Sequence, residues 1–480
     1  MLFNSFSFFI FFPVVTLIYF ILPARYRWLH LLIASCIFYC AFIPAYIFIL
    51  FFTIIIDYFA GILIDGAQGR KRKWWLVASL ISNIGVLAIF KYYNFFIENV
   101  NAFLHLSHLS ARSLPILAII LPIGLSFHTF QAMSYTIEVY RGNQRPERHF
   151  GIYALYVMFF PQLVAGPIER PQNILHQLHE EHKPDPRMIS SGLRLMAWGY
   201  FKKMVIADHL GMYVDKVYDT PGGFTGFPAL IAVVFFAFQI YCDFSGYTDI
   251  ALGSARVMGY DLMKNFDRPF ISKNITEFWR RWHISLSSWF NDYLFTPLVI
   301  AKRDWGKGAV VFALLVTFLI SGLWHGAGWT FLIYGLLHGI AVVFEFLTKK
   351  FRLRLSKKIP AFIYGPGSLL LAFSYVCFSW IFFRSRNLHA AFAMIKSCTR
   401  GFDWRHPGFT TNIVNRFDFY LAILSPLTLF LLESLLFSYD GREKFLRFNP
   451  GVRMACYILL CLVILCFGVF NHSRFIYFQF

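Results

Sequence analysis

Charge is scarce in this chain. Asp, Glu, Lys and Arg make up 14% of its 480 residues, where a soluble domain carries roughly 25%. Acidic residues are the scarcer sign, with 25 Asp and Glu against 44 Lys and Arg. The eight cysteines form no CxxC pair and lie mostly in apolar stretches, which argues against a disulfide scaffold or a cysteine metal site. The sequence holds no GxSxG elbow, no GxxxxGK[ST] loop and no HExxH. Serine hydrolysis, ATP-driven transport and zincin chemistry therefore have no support.

What is present is apolar. Hydrophobic residues reach 58%, aromatics 20% and Phe alone 59 positions, and the mean hydropathy is +0.57. Many runs approach the roughly 20 residues needed to cross a bilayer. The composition predicts an all-α polytopic membrane protein. Apolar segments are expected at 3–22, 28–45, 47–64, 74–91, 112–135, 151–165, 190–210, 227–249, 308–325, 329–347, 361–383, 418–437 and 451–470. Some are short enough to be tilted or re-entrant, so about 11–13 transmembrane or re-entrant helices are expected. No repeat and no water-soluble domain is visible, and residues 1–480 read as a single integral membrane domain. The opening stretch lacks a basic region and a cleavage site, and reads as the first membrane segment.

The excess positive charge falls in short loops. It is explained by insertion topology and anionic membrane lipids, and no nucleic-acid module accompanies it. Placing RKRK at 70–73 in the cytoplasm puts the N-terminus on the outer side and returns YRGNQRPER at 140–148 to the cytoplasm. KKFRLRLSKK at 349–358 reads as cytoplasmic by the same rule.

The stretch 238–305 differs in kind. Only its first dozen residues fit the end of a spanning helix, and the rest mixes Trp, Phe and Tyr with Asp, Arg, His and Asn. Irregular backbone at membrane depth must be covered by protein or line a cavity. The candidate core of a functional region therefore lies around 238–340.

His325, in LISGLWHGAGWT, is an ionisable ring among Leu, Trp and Gly. Such a group inside a membrane is a functional candidate, the alternative being a neutral ring bonded to a neighbouring carbonyl. His338 follows 13 residues later, which on one helix places the rings about 220° apart. With no acidic or cysteine partner at ligand spacing, no metal site is predicted, and His338 reads as packing. His283 sits in TEFWRRWHISLSSWFNDYLFTP, where Trp279, Trp282, Leu286, Trp289 and Phe290 follow at helical spacing from Thr276 and Glu277. An interfacial helix running through His283 is expected. Arg280 and Arg281 are candidates for phosphate or lipid heads, with interfacial anchoring as the alternative. Asn291 and Asp292 complete that group.

Asp243, Ser245, Tyr247 and Asp249 follow a strongly apolar run. They either cap a segment, pair with Arg256 or Arg268, or line a polar path. Asp57 and Asp208 pose the same choice. Ser126, His128 and Gln131 form a polar strip that either faces a tunnel or joins helices.

The run FDRPFISKNITEFWRRWHISLSSWFNDYLFTPL followed by GLWHG resembles the membrane-bound O-acyltransferase superfamily, in its bacterial alginate O-acetylation branch, with the teichoic-acid D-alanylation branch more distant. MLFNSFSF, FKYYNFF at 90–96, LPIGLSFHTFQAMSYTIEVYRG at 121–142, FFPQLVAGPIER at 159–170, YCDFSGYTDIA, WIFFR at 380–384 and FIYFQF match the same branch. The resemblance implies helices around a central acyl-transfer tunnel, with His325 as the principal catalytic residue and His283 as its companion. It also implies acetyl-CoA as a donor substrate with no bound cofactor. The partner it implies is a periplasmic SGNH-like acetyltransferase, acting with other polysaccharide-acetylation proteins, in a bacterial inner membrane. The polymer stays open between alginate, cellulose and peptidoglycan. The residues themselves leave two other classes open, a transporter and a noncatalytic scaffold. Against the first, no inverted halves are visible.

Overall fold

Backbone polar groups that cannot reach water must be paired within the segment that carries them, and the chain meets this demand with helices. A computed structural model describes residues 1–107, 113–164, 166–404, 413–436, 448–470 and 475–476. Among the described residues there are helices and turns and no strand. The first part of the chain forms α1 (Phe6–Ile21), α2 (Ala24–Cys40), α3 (Ile47–Gly66), α4 (Gly69–Leu87), α5 (Tyr93–Leu106), α6 (Leu125–Arg141), α7 (Phe150–Met158), α8 (Phe160–Leu163) and α9 (Pro171–His179). The middle forms α10 (Pro186–Tyr200), α11 (Asp208–Tyr218), α12 (Phe227–Val257), α13 (Ile275–Arg281), α14 (Ile284–Phe290) and α15 (Thr296–Ala301). The last part forms α16 (Lys307–His325), α17 (Trp329–Leu347), α18 (Lys349–Lys358), α19 (Ala361–Arg384), α20 (Leu388–Ser397), α21 (Arg416–Leu436) and α22 (Pro450–Phe467).

Seven described helical stretches are long and apolar enough to cross a membrane: Pro44–Gly66, Gly69–Leu106, Phe227–Val257, Lys307–His325, Trp329–Leu347, Ala361–Arg384 and Pro450–Phe467. Several expected segments are interrupted instead. Residues 113–121 carry no helix, and α6 begins only at Leu125, past Pro115 and Pro122. The expected segment 151–165 breaks at Phe159, because Pro161 has no N–H to offer the carbonyl one turn back. The segment 190–210 is continuous but passes through a wider π-helical turn, Phe201–Ala207, between α10 and α11.

The chain divides into two compact units, one of residues Met1–Arg194 and Ala251–Met263, the other of Leu195–Ile250 and Lys264–Phe480. In the first, aromatic side chains do much of the packing. Phe3, Phe8 and Phe38 cluster between α1 and α2, and Phe160 meets Phe38 at 5.7 Å between ring centres. Offset and edge contacts of this kind add about 0.5–1.5 kcal/mol each beyond area burial. Asp57 on α3 is fully buried, and its carboxylate accepts hydrogen bonds from Ser79 Oγ (2.6 Å) and Asn83 Nδ2 (2.9 Å) on α4. This carboxylate therefore ties two apolar helices together.

In the second unit α16 and α17 form an antiparallel pair joined by Gly326–Gly328. Their backbones touch at Gly322 and Gly335. A Cβ on Gly322 would lie 2.3 Å from the Phe331 carbonyl oxygen, and one on Gly335 would lie 2.3 Å from that of Phe318. Only glycine allows this approach, and it holds the end of α16, where His325 sits.

Candidate active site

The aromatic, polar stretch after α12 resolves into a short, strongly pinned construction. Asn274 caps α13, its side-chain oxygen accepting from the Glu277 N–H at 2.8 Å. The apolar periodicity predicted one helix from Thr276 through Phe290. The structure corrects this: α13 ends at Arg281, α14 starts at Ile284, and His283 stands between them with φ 46° and ψ 54°. Such left-handed geometry is uncommon for a residue with a side chain and needs surrounding support. Asn265 supplies it. Its backbone carbonyl accepts from Ile284 N–H at 2.9 Å, and its side-chain oxygen accepts from Ser285 N–H (3.2 Å) and Ser285 Oγ–H (2.9 Å). Two residues away, Asp267 N–H donates to the Arg281 carbonyl at 2.9 Å. The break in the helix is thus stitched to 265–267, which no periodicity argument reveals.

The His283 ring is fully buried. Phe244 meets it edge-on at 4.8 Å and Trp324 at 5.8 Å between ring centres, and Nδ1 lies 3.1 Å from Asn265 Oδ1. Burial pushes its imidazole down to about 3, so the ring is neutral at ordinary pH. His325 is also buried, and its neighbours are Trp324 at 5.0 Å, Phe383 at 5.3 Å and Tyr334 at 5.8 Å. The indole of Trp324 therefore touches both histidine rings. The structure brings the two predicted histidines into one aromatic neighbourhood.

His338 is different in kind. Trp279 Nε1–H, a group that only donates, points at His338 Nδ1 at 3.1 Å. The ring proton is then on Nε2, which donates to Ser379 Oγ at 2.9 Å, and Ser379 Oγ donates on to the Val376 carbonyl at 2.8 Å. Both ring nitrogens are spent on holding α13, α17 and α19 together.

The other candidates scatter. Arg281 is held by Glu277 (3.0 Å) and by the Asp267 carbonyl (3.3 Å), whereas Arg280 is exposed. Asn291 and Asp292 lie exposed on a π-helical turn, Asn291–Phe295, with Asn291 donating to Asp292 at 3.1 Å. Asp243, Ser245, Tyr247 and Asp249 do not end a segment. They lie inside the 31-residue helix α12, because buried lysines meet their polarity. Lys203 pairs with Asp243 (2.6 Å) and Asp208 (2.8 Å), and Lys202 pairs with Asp249 (2.6 Å) and donates to Ser245 Oγ (2.8 Å). The arginines proposed for Asp243 go elsewhere, Arg256 to Asp261 and Arg268 to Asp267. Asp243 also accepts from the Ile476 N–H at 2.7 Å, and Tyr247 stacks on Phe475 at 4.5 Å.

His128 and Gln131 belong to the first unit, and each joins helices there. His128 Nε2 donates to Thr53 Oγ1 at 2.5 Å, and Gln131 Nε2 donates to the Tyr156 carbonyl at 2.5 Å. Ser126 receives a hydrogen bond from Lys91 at 3.4 Å. Sequence reasoning passed over Asn265, Trp324, Lys202 and Lys203. For the lysines a signal existed, since KK interrupts an otherwise apolar run at 195–207 that ends at Asp208.

A profile of the membrane-bound O-acyltransferase family matches residues 143–385, which include Asn265, His283, Trp324, His325 and His338. The chain belongs to that family. It is similar to a probable alginate O-acetylase of Azotobacter vinelandii, 36% identical over 412 residues, covering 84% of this chain and 79% of that protein. A peptidoglycan O-acetyltransferase of Helicobacter pylori is 35% identical over 434 residues, covering 82% of this chain and 79% of that one. A teichoic acid D-alanyltransferase of Bacillus subtilis is 26% identical over 280 residues, 56% of this chain and 69% of its own length. Family membership and the seven apolar helices together make this an all-α, multi-pass membrane O-acyltransferase.

Proposed function

We propose that this O-acyltransferase carries acetyl groups across the bacterial inner membrane, from acetyl-CoA in the cytoplasm to a hydroxyl presented from the periplasm, through a central tunnel. The observation that carries the proposal is the pairing of buried His283 and His325 around Trp324, in a chain about as similar to two kinds of O-acetyl-transferring protein. His325 acts as general base. It takes the hydroxyl proton as that oxygen attacks the thioester carbonyl, the C–S bond breaks, and the proton passes to the departing coenzyme A thiolate. Imidazole suits the task because its ordinary pKa, about 6.5, lets it take and return a proton near neutrality. His283 either steadies the acetyl carbonyl oxygen or orients the acceptor hydroxyl.

The acceptor is a periplasmic SGNH-like acetyltransferase that passes acetyl on to an exopolysaccharide, with alginate the first choice of polymer. Peptidoglycan is the second reading, favoured by the Helicobacter relative, whose identity nearly equals that of the alginate relatives. In this arrangement RKRK at 70–73 and the basic helix α18 face the cytoplasm, and the N-terminus faces the periplasm.

The test is transfer of labelled acetyl from acetyl-CoA, supplied on one side of proteoliposomes, to a purified SGNH-like acceptor on the other. His325→Ala should lose at least about 100-fold in rate. Wild-type transfer by a folded His325→Ala protein would refute the assignment.

A further inference from the structure

The surroundings of His283 decide which of its two possible roles it has. Ser285 N–H can only donate, so the Asn265 amide atom that faces it at 3.2 Å is the oxygen. The same oxygen receives Ser285 Oγ–H at 2.9 Å and lies 3.1 Å from His283 Nδ1. An acceptor oxygen at that distance is matched by a ring N–H, not by a ring lone pair. The Asn265 backbone is itself fixed, because its carbonyl holds Ile284 N–H at 2.9 Å. The amide is buried, so it has little freedom to turn.

We infer that Asn265 is a positioning residue that locks His283 as its Nδ1–H tautomer, so that Nε2 carries the lone pair and is excluded from donating a hydrogen bond to the thioester carbonyl. The inference rests on the reading that His283 works at the acyl-transfer centre. A neutral imidazole has one donor and one acceptor, and here the donor is already committed. The opposite tautomer is imposed on His338 by Trp279 Nε1–H. The same side chain is thus set to opposite polarity at two places in one unit. Burial among Phe244, Phe266 and Trp324 keeps the His283 ring in its neutral form, which the tautomer argument requires.

Two measurements test this. Histidine labelled with nitrogen-15 in the full-length protein in lipid, with the His283 resonances assigned by their loss in His283→Gln, reports the tautomer directly. A protonated-type shift at Nδ1 and an imine-type shift at Nε2 are expected, and the reverse assignment would overturn the inference. Kinetically, Asn265→Leu removes the acceptor oxygen, while Asn265→Asp keeps an oxygen for all three donors. Leu is expected to cost about 100-fold in kcat with KM for acetyl-CoA changed less than about threefold, and Asp to retain kcat within about tenfold. A folded Asn265→Leu protein with wild-type kcat would overturn the inference. Should Leu fail to fold, loss of both the tautomer signature and activity in Asn265→Asp would overturn it as well. Absence of acetyl transfer by the wild-type protein would instead overturn the proposed function. The tautomer is read without turnover and stands or falls separately.

Discussion

Gly322→Ala tests whether the α16–α17 contact sets the position of His325. The added Cβ would lie 2.3 Å from the Phe331 carbonyl oxygen and 3.1 Å from Gly335 Cα, where ordinary contact begins near 3.4 Å. The nearest atoms are backbone and cannot rotate away, so the helices must separate by about 1 Å. A gap of 0.5–1 Å forfeits roughly a quarter to a half of each dispersion contact it opens. Overpacking of this kind costs about 1–3 kcal/mol, against a gain of about 1 kcal/mol in helix propensity from replacing glycine. The net effect is a loss of up to about 2 kcal/mol in stability. The effect on rate is larger, because His325 is less than one turn from Gly322 on the same helix, and a 1 Å misplacement of a reacting group costs about 100-fold. Gly308→Ala is the control, since that residue lies on α16 with only the Trp305 Cβ near it, at 3.7 Å. Detergent-solubilised protein gives the thermal midpoint, and proteoliposomes give the acetyl-transfer rate. Gly308→Ala should leave both intact or raise the midpoint slightly. If Gly322→Ala behaves like Gly308→Ala in both assays, the close contact does not govern the site.

Two further outcomes follow from buried charge. Lys203→Met leaves Asp208 and Asp243 without their shared cation; all three side chains are at most 5% exposed. Breaking such a pair costs about 3–5 kcal/mol, and adding Asp208→Asn with Asp243→Asn should recover part of it in the same thermal assay. A single variant as stable as wild type would count against the network. The pH dependence of His283 has the opposite sign to that of an ion-paired histidine: its pKa falls from about 6.5 unfolded to about 3 folded, so the unfolded chain binds the extra proton in that window. Its stabilising contribution is complete above about 6.5 and is lost as pH falls towards 3, amounting to about 2 kcal/mol between pH 7 and 5. His283→Gln should flatten that part of the pH profile of unfolding, and an unchanged profile would refute the burial argument.

The helices were legible because apolar composition over 15 to 30 residues leaves few alternatives in a membrane. Even there, sequence smoothed over the breaks at Phe159 and 113–121, which fall beside prolines. The histidines were legible as types, through their place among apolar neighbours and through family resemblance, but not as chemical states. His283 and His338 both sit beside tryptophan in sequence or space, and nothing in the local pattern separates them. The separation comes from Asn265 in one case and Trp279 in the other, the first 18 and the second 59 residues distant along the chain. Asp243 carries the same lesson. Its partner Lys203 lies on a different helix, and the sequence offered two arginines that were closer and wrong. In this chain periodicity places a side chain on an element, while its protonation, its tautomer and its charge partner are set by contacts that close only when distant segments meet.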